Sequence, residues 1–91
     1  MIKSFRNKEL SNLFAGKLSK LDQKIQERLK RRLNALDAAR ATADVNLPGF
    51  DFHALKGFTP TRYTIHVNGP WCITLEFSEG DAYRVDFEQY H

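Results

Sequence analysis

The sequence has 91 residues, of which 42% are hydrophobic and 27% charged, a composition typical of one small folded domain. The single Cys72 excludes an internal disulfide framework and any multi-cysteine metal site. The longest uncharged stretch, residues 63–75, is shorter than the about 20 residues that a membrane span needs, and no secretory signal is recognisable. We therefore expect one domain over residues 1–91, located in the cytoplasm and without a membrane segment.

The two halves of the sequence carry opposite charge. Residues 1–40 hold eleven Lys and Arg against four Asp and Glu, a net charge of +7, whereas residues 41–91 hold three against seven, a net charge of −4. The basic half can attract a polyanion or an acidic protein partner through its long-range field. A well-solvated helix surface explains the same charge, so composition alone leaves both interpretations open.

The N-terminal half is predicted to form two helices joined by a short link. Asn7 is a suitable N-cap for the first helix, and Gly16 is a suitable end. Three apolar residues follow at helical spacing between them: Leu10, Leu13 and Phe14. Ser19 with Asp22 resembles a capping box, which predicts a second helix over residues 20–39. The apolar stripe of this helix consists of Ile25, Leu29, Leu33 and Leu36.

The C-terminal half is predicted to form strands. Apolar and polar residues alternate, as in half-buried strands, over three segments: residues 63–67, 71–77 and 83–87. Turn signals at residues 68–69 and 79–81 connect these segments as antiparallel neighbours. Residues 2–5 and 50–56 each predict a further short strand.

The apolar face of this sheet has to be covered, and the helical stripe is the available cover. The sequence therefore predicts an α+β fold in which two N-terminal helices pack on one face of a curved, mainly antiparallel sheet. The sheet is expected to contribute to the core through Trp71, Ile73, Leu75, Tyr83 and Val85. Its uncovered polar face is expected to carry Thr64, His66, Thr74, Glu76 and Arg84.

Four residues are candidates for acid–base chemistry on an RNA phosphodiester: His53, Lys56, Tyr90 and His91. A histidine titrates near neutral pH, so it can take the proton of a ribose 2′-hydroxyl or give one to the leaving 5′-oxygen. A cation stabilises the charge of the transition state. No metal-binding or nucleotide-binding signature is present, and we expect no metal and no cofactor. His66 and Cys72 are interpreted as a solvated surface side chain and a small filler.

Seven segments keep an order and spacing found in a known family: MIKSF (residues 1–5), LDAA (36–39), LPG (47–49), HALKG (53–57), IHVNGPW (65–71), GDAY (80–83) and YH (90–91). Through them the whole chain resembles the HigB family of toxin–antitoxin toxins, within the RelE/ParE superfamily. The resemblance implies a RelE-like fold and a ribosome-dependent mRNA endonuclease, or mRNA interferase, that inhibits translation without a metal. It also implies that the catalytic residues are His53, Lys56, Tyr90 and His91.

Two positions depart from the pattern of the family. Cys72 stands where an arginine commonly follows the hairpin tryptophan, and Gln89 stands where an aspartate commonly precedes the terminal Tyr-His. The missing arginine removes a cation for the scissile phosphate, a role that Arg62 or Arg84 could take. Gln89 could still orient a neighbouring histidine through a hydrogen bond.

The resemblance also implies two partners for the basic half. Ribosomal RNA could be gripped by Arg28, Arg31 and Arg32 of the long helix, and a HigA-like helix-turn-helix antitoxin could cover part of the same surface. Three alternatives belong to other functional classes: a non-catalytic nucleic-acid-binding module, a ParE-like gyrase inhibitor, and a degenerate toxin that only binds its antitoxin. An assay with purified ribosomes and mRNA separates these alternatives from the endonuclease.

Overall fold

Two helices precede a four-stranded sheet in the computed structural model of the protein, which describes residues 1–89. The elements are α1 Lys8–Phe14, α2 Gln23–Ala38, a 3₁₀ turn Thr42–Val45, β1 His53–Leu55, β2 Arg62–Asn68, β3 Trp71–Ser78 and β4 Asp81–Gln89. The strands lie in the order β1-β2-β3-β4, and each neighbouring pair is antiparallel. This architecture confirms the predicted α+β fold. No helix within the described residues is long and apolar enough to cross a membrane.

The caps of the two helices differ in how well they are predicted. The side chain of Asn7 accepts a hydrogen bond from the Leu10 backbone at 3.0 Å, which confirms it as the N-cap of α1. Asp22 is the N-cap of α2, so the prediction that the helix begins after Ser19 is wrong. The Ser19 hydroxyl instead donates to the Glu9 carbonyl at 3.0 Å and ties the link between the helices to α1. The same hydroxyl accepts a hydrogen bond from the Leu21 backbone at 3.3 Å, so Ser19 closes a local turn before the helix instead of capping it.

The hydrophobic core lies between α2 and the covered face of the sheet. Its fully buried side chains include Leu29, Leu33 and Leu36 of α2 and Ile65, Ile73 and Leu75 of the sheet. Trp71 was expected in this core, but it is 36% exposed. It follows directly after the hairpin turn, at the end of the sheet, and stacks on Phe87 with ring centroids 4.8 Å apart. The prediction that Trp71 is buried under the helices is therefore wrong.

Replacing Leu29 with alanine should lower the free energy of unfolding by about 2–5 kcal/mol, because a fully buried leucine leaves a cavity when it is shortened. Urea unfolding followed by circular dichroism measures this change. Leu18 is 97% exposed and provides the matched control, since Leu18→Ala should change the same free energy by less than about 0.5 kcal/mol. Equal effects of the two substitutions would contradict the core described above.

A bulge in β4 shifts the predicted alternation by one residue. Thr74 pairs with Asp86, but Glu76 pairs with Tyr83, so two residues of β4 oppose Leu75. Arg84 lies in this bulge with φ 51°, a left-handed conformation. Because directly opposite residues share a face, Tyr83 lies with Glu76 on the polar face and is only half-buried. The prediction that Tyr83 belongs to the core is wrong.

The other edges of the sheet also differ from the sequence prediction. Residues 2–5 form two isolated bridges with β4 instead of a continuous strand, and the Lys3 backbone donates to the Ala82 carbonyl at 2.7 Å. The strand predicted over residues 50–56 is limited to β1, because Asp51 turns the chain with φ 45°. The hairpin between β2 and β3 turns at residues 69–70, one position later than predicted.

Candidate active site

A cleft of about 250 Å³ opens on the polar face of the sheet, where β1, β2 and β3 lie side by side. Its lining residues are Asp51, His53, Leu55, Thr64, His66, Gly69 and Cys72. The strand register brings them together, since His53 lies opposite Thr64 and His66 lies opposite Cys72. Two imidazoles from different strands therefore share one concave surface.

His53 is the predicted catalytic residue that the structure places in this cleft. Its Nδ1 atom lies 2.8 Å from the Asp51 carbonyl oxygen. A carbonyl oxygen can only accept a hydrogen bond, so Nδ1 carries a hydrogen and donates it. In the neutral imidazole, Nε2 is then free to accept a proton, and in the protonated imidazole it can donate one. The short turn that ends in β1 thus fixes the tautomer that acid–base chemistry needs.

Lys56 and Gln89, two further predicted site residues, lie at the ends of the two outer strands. Lys56 is exposed and follows directly after Leu55, which lines the cleft. Gln89 is the last residue of β4 and lies opposite Trp71. Tyr90 and His91 lie outside the described residues. That these residues converge with His53 around one phosphate stays a prediction.

Arg62 does not project from the polar face as a free cation. It is 4% exposed, and its guanidinium forms an ion pair with Glu76 at 3.1 Å. The same guanidinium donates to the Thr74 hydroxyl at 2.9 Å and to the Arg84 carbonyl at 3.1 Å. The Thr74 hydroxyl in turn donates to Glu88. This network, Arg62 with Thr74, Glu76 and Glu88, fills the part of the polar face that was expected to be open.

Thr64 and Thr74 are buried, at 1% and 0% exposure, so the expectation of a solvated polar face is wrong at these positions. Thr74 is covered by the Arg62 side chain, which donates to its hydroxyl and pairs with Glu76 beside it. Arg84 is exposed, but it lies elsewhere, at the bulge of β4. Neither arginine lies among the residues described as lining the cleft.

The three arginines of α2 have different surroundings. Arg28 and Arg31 are exposed, as predicted, whereas Arg32 is 8% exposed. The Arg32 Nε atom donates to the His66 carbonyl at 2.6 Å, and its guanidinium carbon lies 4.8 Å from the centre of the Phe50 ring. The prediction that Arg32 lies on the solvated side of α2 is therefore wrong. Its side chain links α2 to the loop before β1 and to β2. Burial lowers the pKa of Arg32, and the charges of Arg28 and Arg31 lower it further.

Cys72 is a buried thiol in the floor of the cleft, in agreement with its interpretation as a small filler. Burial raises the pKa of Cys72, and the nearby Asp51 carboxylate raises it further. Because the thiolate is the nucleophilic form, this environment does not suit covalent catalysis. Among residues 1–89, no three His, Cys, Asp or Glu side chains are grouped so as to hold a metal ion.

His66 is the cleft residue that sequence reasoning missed. The sequence assigned it to the polar face as a solvated side chain, whereas the structure places it half-buried in the same cleft as His53. Its alternation with Ile65 and Val67 already predicted the correct face. What alternation could not predict is the pairing register, which decides that His66 meets Cys72 beside β1.

Comparison with known proteins agrees with this fold. Residues 3–91 match the family described as the RelE-like toxin of the type II toxin–antitoxin system HigB. The chain is also 38% identical over 92 residues to the Endoribonuclease HigB of Proteus vulgaris, and the match covers the full length of both chains. With the two helices and the antiparallel sheet described above, the chain belongs to the HigB-like family of RelE-like toxins.

Proposed function

We propose that this toxin is an endoribonuclease that cleaves mRNA on translating ribosomes, without a metal, by attack of a ribose 2′-hydroxyl on the adjacent phosphate. The observation that carries the proposal is the placement of His53 in a concave site, where the Asp51 carbonyl holds Nδ1 and leaves Nε2 as the nitrogen that can exchange a proton. The endoribonuclease named among its relatives supports the same reaction class. Inhibition of translation follows, because a cleaved message cannot be read to its end.

The proposed reaction exchanges one P–O bond for another. The 2′-oxygen bonds to phosphorus while the bond to the 5′-oxygen breaks, which yields a 2′,3′-cyclic phosphate and a 5′-hydroxyl. One histidine takes the proton of the 2′-hydroxyl and another gives a proton to the 5′-oxygen; His53 and His91 are the pair we assign to these roles. Lys56 supplies positive charge to the phosphorane-like transition state. Tyr90 is the fourth residue that we assign to the catalytic set.

A cleavage assay with purified ribosomes, a defined mRNA and the full chain tests this proposal. We expect cleavage at discrete positions, loss of cleavage when the attacked nucleotide is 2′-deoxy, and a 2′,3′-cyclic phosphate on the upstream product. A metal-activated water would instead leave a linear phosphate and would still cut the 2′-deoxy substrate. Binding without cleavage, or inhibition of DNA supercoiling in a parallel gyrase assay, would favour the alternative functions.

The partners we propose are the ribosome and a helix-turn-helix antitoxin of the HigA type. The net charge of +7 within residues 1–40 is presented partly by exposed side chains of α2, including Lys24, Arg28 and Arg31. Such a surface binds RNA phosphates without reading sequence. An antitoxin with acidic side chains fits the same charge, so binding of the antitoxin and of the ribosome could compete there.

Reversing two of these charges, in a Lys24→Glu/Arg31→Glu variant, should weaken ribosome binding and flatten its salt dependence. Each phosphate contact that is lost should reduce the slope of log K against log salt by about 0.7–0.9. Sedimentation of the toxin with ribosomes at several salt concentrations measures the slope. Lys3→Glu/Lys8→Glu is the matched control, because it changes the net charge equally on other exposed positions. Equal slopes for the two variants would show that the outer face of α2 is merely solvated.

A further inference from the structure

The cleft contains a second imidazole for which the proposed reaction has no role. His66 is half-buried there, faces Cys72 across the β2–β3 pair, and shares the cleft with His53. The backbone of His66 is hydrogen-bonded at both of its polar atoms. Its nitrogen donates to the Phe50 carbonyl at 2.6 Å, and its carbonyl accepts from Arg32 at 2.6 Å.

These two contacts connect the backbone of His66 to the loop that positions His53. Arg32 also lies over the Phe50 ring and donates to the Gly49 carbonyl at 3.4 Å, so it fixes the loop that leads into β1. Asp51, in the same loop, holds the imidazole of His53. One connected set of contacts therefore joins the loop before β1, which positions His53, to the backbone of His66.

The charges around the cleft indicate what His66 can bind. Among the residues described as lining it, the two imidazoles are the groups that can become cationic, and Asp51 is an anion. Glu88 lies opposite Cys72 on the neighbouring strand, and its carboxylate accepts a hydrogen bond from Thr74. Arg62 and Arg32, the buried arginines nearby, are engaged with protein groups. A phosphate that enters such a site needs a cationic donor to offset the carboxylates.

Resting on the function proposed above, we infer that the side chain of His66 binds a backbone phosphate of the RNA strand and so positions the strand for cleavage at His53. The chemistry that it recognises is a phosphodiester anion, which an imidazolium N–H binds through a charge-assisted hydrogen bond. His66 is then a substrate-binding residue with a role separate from proton transfer.

Three substitutions of His66 in the full chain test this inference by steady-state cleavage of mRNA on ribosomes. His66→Ala should lower kcat/KM by about 10- to 100-fold, mainly through KM, because one charge-assisted hydrogen bond to the substrate is lost. His66→Lys should retain most of the activity, since it keeps a cationic donor. His66→Phe should behave like His66→Ala. Asn68→Ala is the matched control: an exposed polar side chain two residues further along β2, which should leave kcat/KM unchanged.

A binding measurement is independent of cleavage. Titration of the protein with an uncleavable 2′-deoxy dinucleotide, followed by NMR of the histidine ring signals, should shift the His66 signals, and inorganic phosphate should shift them in the same direction. Unchanged His66 signals with both probes would overturn the inference, as would wild-type kcat/KM in His66→Ala. Rescue by His66→Phe would overturn it too, because stacking on a base would then be the contact. If the wild type fails to cut RNA while the ring signals shift, the proposed function fails and phosphate binding by His66 stands.

Discussion

The His53→Ala variant should cleave mRNA on ribosomes about 10²–10⁴-fold more slowly than the wild type, which is the usual contribution of one general acid–base group. The loss should appear in kcat rather than KM, because the imidazole acts on a proton in the transition state. Its stability should hardly change, since the His53 side chain is exposed and its one described hydrogen bond is to the Asp51 carbonyl, within the same turn. Single-turnover cleavage and urea unfolding measure the two quantities separately.

The proposal that His53 acts together with residues 90–91 leads to a second, related prediction. Deletion of Tyr90 and His91 should reduce the cleavage rate by a similar about 10²–10⁴-fold. If His53 and residues 90–91 act on one phosphate, the combined variant should lose little more activity than either variant alone, because the effects of residues that work as a unit are not additive. Full activity of the His53→Ala variant, or strictly multiplicative losses in the combination, would contradict a shared site.

Much of the fold could be predicted from periodicity. Apolar residues at helical spacing and at strand spacing form two apolar faces, and these faces are buried by packing against each other. The stripe from Leu29 to Leu36 and the alternation through Ile65 and Ile73 predict the observed layers. The bulge in β4 could not be predicted in this way. Arg84 carries no sequence signal for a left-handed conformation, and the one-residue shift it causes moves Tyr83 to the polar face.

For the site residues, too, some placements follow from the sequence and others depend on the fold. The sequence motifs predict His53 as an acid–base group and Lys56 as a cation, and the structure places His53 in the cleft. Arg32 and Arg62 were misassigned because an arginine on a helix flank or a polar strand face is usually solvated. Whether such a side chain is buried depends on acceptors that only the fold supplies, here the His66 carbonyl for Arg32 and the Glu76 carboxylate for Arg62.

Removing Arg62 should destabilise the protein by about 3–5 kcal/mol, a larger loss than most single substitutions cause. In Arg62→Ala, Glu76 loses its ion-pair partner, and the Arg84 carbonyl in the bulge of β4 loses a donor. Burial of the guanidinium makes the loss large, because the charge left behind is poorly compensated by water. Urea unfolding gives the free energy. Arg31→Ala, at an exposed position of α2, should change it by less than about 0.5 kcal/mol.

A double-mutant cycle separates the stabilisation by the Arg62–Glu76 pair from the destabilisation caused by leaving one partner unpaired. Arg62→Met and Glu76→Met together should be less destabilising than the sum of the two single substitutions, because the double variant leaves no unpaired charge between the strands. The Nε atom of Arg62 is buried and has no hydrogen-bond partner among the described residues, so apolar replacement also removes an unsatisfied donor. Strict additivity of the two substitutions would show that the ion pair contributes little, and that Arg62 stabilises the sheet through packing and its contacts with Thr74 and the bulge.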